Sequence, residues 1–158
     1  MQVTITRAEL LELWHGLPVL ADLKGFKLGY AVARTKAKLR PVIGGFDKAL
    51  KPDAAFQAFE EKRMKLCRKY AQKDPRGNFM SSSDSFVFGE NQEAFDGEMA
   101  PLTAEFTEAI EARKRQIEDY NASLLESISV EVYQITEADV PDDVSVRQVE
   151  VLIRLIQD

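Results

Sequence analysis

The chain has 158 residues, 45% of them hydrophobic and 30% charged, with 21 Lys/Arg, 26 Asp/Glu and a formal net charge of −5. That length fits one domain with a proper core, and a single cysteine, Cys67, excludes an internal disulfide and a cysteine-based zinc site. No apolar run approaches the roughly 20 residues that span a bilayer, and the opening MQVTITRAEL has no signal-peptide core, so a soluble protein of a reducing cytosol is expected.

The charge is divided along the chain. From Met1 to Arg76 there are 16 bases against 8 acids, and from Gly77 to Asp158 there are 5 against 18. Two arms of a helical hairpin neutralising each other would give this split, and so would a basic nucleic-acid surface beside an acidic one.

Val3 and Ile5 alternate with polar residues, the period of a half-buried strand. Thr6 followed by Glu9 is a capping box, with Ile5 and Leu10 at the staple positions around it, and the helix it opens should end at Gly16, before Pro18. After Gly25, Phe26, Tyr30, Ala33 and Ala37 recur at helical spacing and are taken as the inward stripe of a second helix. Pro41 should kink or stop that helix, Gly44-Gly45 weakens the next stretch, and Pro52 is placed as the first residue of a new helix reaching Lys73. That helix carries Phe56, Phe59, Leu66 and Tyr70 on one stripe.

Asp74–Gln92 is rich in Pro, Gly and Ser yet contains Phe79, Met80, Phe86 and Phe88. Two short strands about the turn Ser81–Ser85 would make a hairpin there; a loop docked by its aromatics is the competing reading. Phe95, Met99, Leu102, Phe106, Ala109 or Ile110, Ile117, Tyr120 and Leu124 then hold helical spacing, interrupted only by Arg113, with Pro101 marking a start or a kink. Ile128–Ile135 alternates as a strand, and Ser145 with Gln148 caps a last helix with Val146, Val149, Leu152, Ile153 and Ile156 inward.

The expected fold is α+β, a single domain over 1–158. Helical arms at about 26–73 and 94–125 form a long antiparallel hairpin with a small β element at its tip. A two-stranded base, 1–23 and 127–158, is packed by the N- and C-terminal helices. In this hairpin Lys65, Arg68 and Lys69 would approach Glu105, Glu108 and Glu111, exposed pairs that favour one register.

Motifs of catalysis are sparse. His15 is the sole histidine and sits where a cation suits a helix C-terminus. Cys67 reads as packing, and Ser81, Ser82, Ser83 and Ser85 lack a nucleophile elbow. No phosphate loop or dinucleotide fingerprint occurs, and Glu137, Asp139, Asp142 and Asp143 miss the calcium-loop spacing. Arg63 and Arg113 fall on apolar stripes and are read as snorkelling. No catalytic, metal or cofactor residue is assigned. The candidate basic surface is Lys24, Lys27, Arg34, Lys36, Lys38 and Arg40, within a block that extends to Lys51, and the candidate partner-binding tip is Phe79, Met80, Phe86 and Phe88.

Phe59 to Asn78 ends in Lys69-Tyr70, Lys73-Asp74 and Gly77, followed by an aromatic insert, the acidic Phe95–Leu124 helix, the strand Glu131 to Ile135 and the closing Val149 to Ile156. This order resembles a recurring pattern in small bacteriophage and prophage proteins, from which Pro41, Gly44-Gly45 and Pro52 depart. The resemblance implies an origin in a phage genome and action in the bacterial host cytoplasm or in a virion. A non-enzymatic interaction module is expected, binding a phage or host protein to assist assembly or to modulate a host machine, defence systems included. The alternatives are a nucleic-acid-associated protein using Lys24–Lys51 and a virion structural component. Homo-oligomers are compatible with these readings; a membrane partner is not expected.

Overall fold

The computed structural model describes residues 1–83 and 85–156, and within them the chain is α+β. It forms two compact units, one of Met1–Leu50 with the chain from Glu118 onward, the other of Lys51–Ile117. Their boundaries fall inside the expected arms, because α2 (Phe26–Leu50) and α3 (Ala54–Tyr70) are separate helices with separate cores.

In the first unit β1 (Gln2–Thr6) pairs antiparallel with β4 (Ser127–Glu131), Val3 opposite Val130 and Ile5 opposite Ile128. The Thr6–Glu9 box forms: Thr6 Oγ1 accepts from the Glu9 amide at 3.2 Å, and Glu9 Oε2 accepts from the Thr6 amide at 2.8 Å. It opens α1 (Arg7–Gly16), which a 3-10 turn at Leu17–Leu20 extends, so that Leu10, Leu13, Leu17 and Leu20 all enter the core. A Cβ on Gly16 would lie 2.7 Å from Val151 Cγ2, so the α1 terminus approaches α6 (Val146–Leu152) more closely than any larger residue allows.

Ser145 and Gln148 cap α6 as expected. Its inward face is only partly the expected one: Leu152 is buried and Ile156 packs half-buried against the core, as expected. Leu155 is buried too, whereas Val146 and Ile153 are 78% and 64% exposed, and Val149 is exposed as well. The cap sets this rotation, because Gln148 Nε2 also donates to the Val19 carbonyl at 3.2 Å and turns the row Gln148–Leu152–Leu155 inward.

α2 continues through Pro41 and Gly44-Gly45 as one helix, so the expected stop at Pro41 does not occur. Pro41 lies on the exposed side, as does Ala37, whose carbonyl loses its helical donor there. Leu39 and Ile43, buried on either side, hold the segment by packing. The buried row is Leu28, Ala31, Thr35, Leu39 and Ile43; Phe26, Tyr30, Ala33 and Ala37, the expected stripe, face solvent.

In the second unit Asp53, rather than Pro52, starts α3, its carboxylate accepting from the Phe56 amide at 2.7 Å while Pro52 stands just before the cap. α3 ends at Tyr70, three residues short of Lys73, since Ala71 turns extended and Gln72 joins the tip hydrogen bonds. α3 and α4 (Gln92–Glu105) form an antiparallel helical hairpin. Phe59 meets Phe106 and Tyr70 meets Phe95, and this aromatic register brings Lys62 to Glu105 at 2.7 Å and Lys69 to Glu98 at 2.5 Å. Of the expected set, Lys69 and Glu105 do take part in cross-hairpin pairs, but with Glu98 and Lys62 as their partners.

The following helix, α5 (Thr107–Ser123), is separated from α4 by an interruption at Phe106, while Pro101 lies inside α4. Thr103 Oγ1 donates to the Met99 carbonyl and Thr107 Oγ1 to those of Thr103 and Ala104, the back-bonding that bends helices. Arg63 and Arg113 behave as snorkelling cations: Arg63 is bound to Glu60 at 2.8 Å, and Arg113 lies over Phe56 and donates to Gln116.

Candidate functional site

At the tip of the second unit, β2 (Ser81–Ser82) pairs with β3 (Ser85–Phe86), the hairpin expected about Ser81–Ser85. Three further bonds build its base: Met80 N to Gln72 O, Gln72 N to Val87 O and Val87 N to Met80 O. Asp74 closes the adjoining loop by accepting from the Arg76 and Asn78 amides at 2.8 and 2.9 Å and from the Asn78 side chain. These bonds, those of Asn78 foremost, hold its carboxyl below the usual range.

The tip aromatics divide. Phe88 stacks on Phe95 with centroids 4.1 Å apart, and half-buried Phe86 meets Phe79 edge-on at 5.6 Å. Phe88 thus packs onto α4, and like Phe86 it stays half-buried. Phe79, under the Lys73 ammonium, and Met80 remain exposed. Lower on this unit, Leu66, Pro101 and Leu102 floor a groove of about 410 Å3 rimmed by Lys62, Lys65, Glu98 and Glu105.

The candidate bases occupy the first unit, on or just before α2. Helical geometry sets Lys27, Arg34 and Lys38 along one border of its exposed face and Lys36 and Arg40 along the other. On the first border Lys27 binds Asp139 at 3.0 Å and Lys38 binds Glu131 at 2.8 Å. The hydrogen bond from Lys38 raises its own pKa and lowers that of Glu131. Asp139 is held low first by the Thr136 amide and then by Lys27. Arg34 Nη2 donates to the Tyr133 hydroxyl at 3.1 Å, which raises the arginine's pKa, and the guanidinium lies over the rings of both Tyr133 and Tyr30. On the other border Lys36 lies over Trp14. Lys24 and Arg40 are exposed.

The expected basic surface therefore contains carboxylates, and it also contains aromatics that sequence reasoning assigned to the core. Phe26, 86% exposed, stacks on Tyr30, which meets Tyr133 edge-on at 6.1 Å. The signal that identifies them is the second apolar row at 28, 31, 35, 39 and 43. Only one of two such rows on α2 can face β4, and the better-filled aliphatic row does so.

His15 is exposed in the last turn of α1, and Cys67 is buried on α3 with Arg63 Nη1 4.0 Å away. Among the described residues no group of three His, Cys, Asp or Glu is placed to hold a metal ion, and no helix is long and apolar enough to cross a membrane. Two exposed features stand out among the described residues: an aromatic–basic strip on α2 and a hydrogen-bonded tip carrying Phe79 and Met80. No protein-family model, curated protein or solved structure matches the chain.

Proposed function

We propose that this chain is a phage-encoded, non-enzymatic interaction module that binds another protein in the bacterial host cytoplasm or in a virion. The observation carrying the reading is Phe26, a large apolar side chain left 86% exposed and stacked on Tyr30. Aromatic residues beside arginine dominate the energetics of protein interfaces, and an exposed, mutually stacked set loses little side-chain entropy on binding. The origin rests on the resemblance to phage proteins of the Phe59–Asn78 segment and the elements C-terminal to it.

Replacing Phe26 with a photo-crosslinking phenylalanine analogue in bacterial cells tests this. A discrete protein adduct is expected from position 26 and none from exposed Asn121 on α5. Equal labelling from both positions, or none from either, would count against the module.

One observation favours nucleic acid as a second reading: Phe26 and Tyr30 alternate with Lys27 and Arg34, as in surfaces that stack bases beside phosphate-binding cations. Asp139 and Glu131 weigh against it, since they already neutralise Lys27 and Lys38 and would repel a phosphate backbone.

A further inference from the structure

We infer that the exposed face of α2 takes an acidic amphipathic helix of the partner protein. This names the partner's chemistry and rests on the interaction reading above.

A helix that buries one apolar row normally turns polar side chains to solvent. α2 instead carries a second row, Phe26, Tyr30, Ala33 and Ala37, with successive spacings of 4, 3 and 4 residues, along a face left exposed among the described residues. The row is bulky at its N-terminal end and small at Ala33 and Ala37. Small residues at i and i+4 let another helix approach closely and seat larger side chains against them, while the Phe26–Tyr30 stack forms a wall at the end. An extended peptide would need a free strand edge for its backbone hydrogen bonds, and a helix face offers none.

Charge specifies the occupant further. From Leu23 to Phe46 the sequence has six bases and no acid. Glu131 and Asp139 occupy Lys38 and Lys27, whereas Arg34 is held by a neutral hydroxyl and two ring faces, and Lys36 by a ring face. Both borders of the apolar row therefore keep positive charge. The matching ligand is a helix with an apolar stripe flanked by Asp or Glu on either side. Arg34 is the anchor, because its planar fork is oriented before binding and suits a carboxylate.

The test is selection from a display library of helical peptides on the full chain, followed by fluorescence anisotropy of the enriched peptides. Enriched sequences should share an apolar stripe bordered by Asp and Glu, and should bind about tenfold or more weakly to Ala37→Arg and to Arg34→Glu, with affinity falling as salt rises. Both positions are exposed, and unchanged circular dichroism of each variant shows that the loss is one of binding. Neutral or basic consensus sequences would overturn the inference, as would peptides indifferent to Ala37→Arg, or an oligo-thymidine that binds the wild type and is lost in Arg34→Glu. Self-association of the wild type that is abolished by Ala37→Arg would overturn it in favour of a second copy of the chain. A crosslink from position 26 in any of these cases leaves the interaction module standing; silence there removes both.

Discussion

Thr35 is a fully buried polar side chain in an otherwise aliphatic core, and its hydroxyl oxygen accepts the Tyr133 backbone N–H at 2.9 Å. Tyr133 lies just past the end of β4, where the ladder to β1 no longer supplies an acceptor. The threonine takes over that function, and it also fixes the residue whose ring and hydroxyl hold Arg34. Thr35→Val keeps the shape but leaves the amide unsatisfied, which should cost about 1–3 kcal/mol in denaturant unfolding. Thr35→Ser should recover much of the loss. A valine variant as stable as the wild type would show that the bond contributes nothing. In the sound variants, the ring resonances of Tyr30 and Tyr133 report whether the exposed set keeps its geometry.

At the scale of elements, what could be read from sequence was what is decided locally. The boxes Thr6–Glu9 and Ser145–Gln148 are recognisable because both partners lie within one turn and bind each other's backbone. The Ser81–Ser85 turn is local in the same way. Faces and interruptions were not, because they depend on distant partners. Which row of α2 turned inward was decided by β4, and the face of α6 by a carbonyl at Val19. Pro41 is tolerated because the Ala37 carbonyl it leaves without a donor lies on the exposed side, which a one-dimensional reading does not show. The basic candidates were legible as charge, but the carboxylates Glu131 and Asp139 reach them across about a hundred residues, and the exposure of Phe26 and Tyr30 followed only from the rotation of α2.

The tip element carries a pH dependence whose sign is fixed by Asp74. Its folded pKa lies below the ordinary aspartate value of 3.8, because the Asn78 amide and side chain and the Arg76 amide bind the charged form. Its contribution is therefore present in full above the unfolded pKa and is lost as pH falls through the folded one. Amide shifts of Arg76 and Asn78 should titrate together with a midpoint below an ordinary aspartate, and Asp74→Asn should remove that titration. A midpoint at or above the ordinary value would show that the loop does not depend on the carboxylate.

For the whole molecule, the half-by-half charge asymmetry dissolves once the chain is grouped by its compact units. The first unit holds 10 bases and 14 acids, the second 11 and 12. Lys27–Asp139, Lys38–Glu131, Lys62–Glu105 and Lys69–Glu98 each join residues of one unit, and with every lysine reaching solvent they contribute little stability each. Hydrophobic burial is what separates the units. The first has a continuous cluster running from Leu10 through Leu28 and Leu39 to Val132, Leu152 and Leu155. In the second the buried apolar residues are Phe59, Cys67, Ala71 and Leu102, supplemented by half-buried aromatics. Apolar area removed from water is the main source of stability, so the second unit should open at lower free energy. Hydrogen exchange followed by mass spectrometry at increasing denaturant should find the α3 and α4 amides exchanging through an opening that leaves α1, β4 and the middle of α2 protected. Leu102→Ala, in the thin core, should widen the gap by deprotecting α3 and α4 without moving the others. Identical opening free energies across all five elements, with Leu102→Ala lowering them together, would instead identify one cooperative fold.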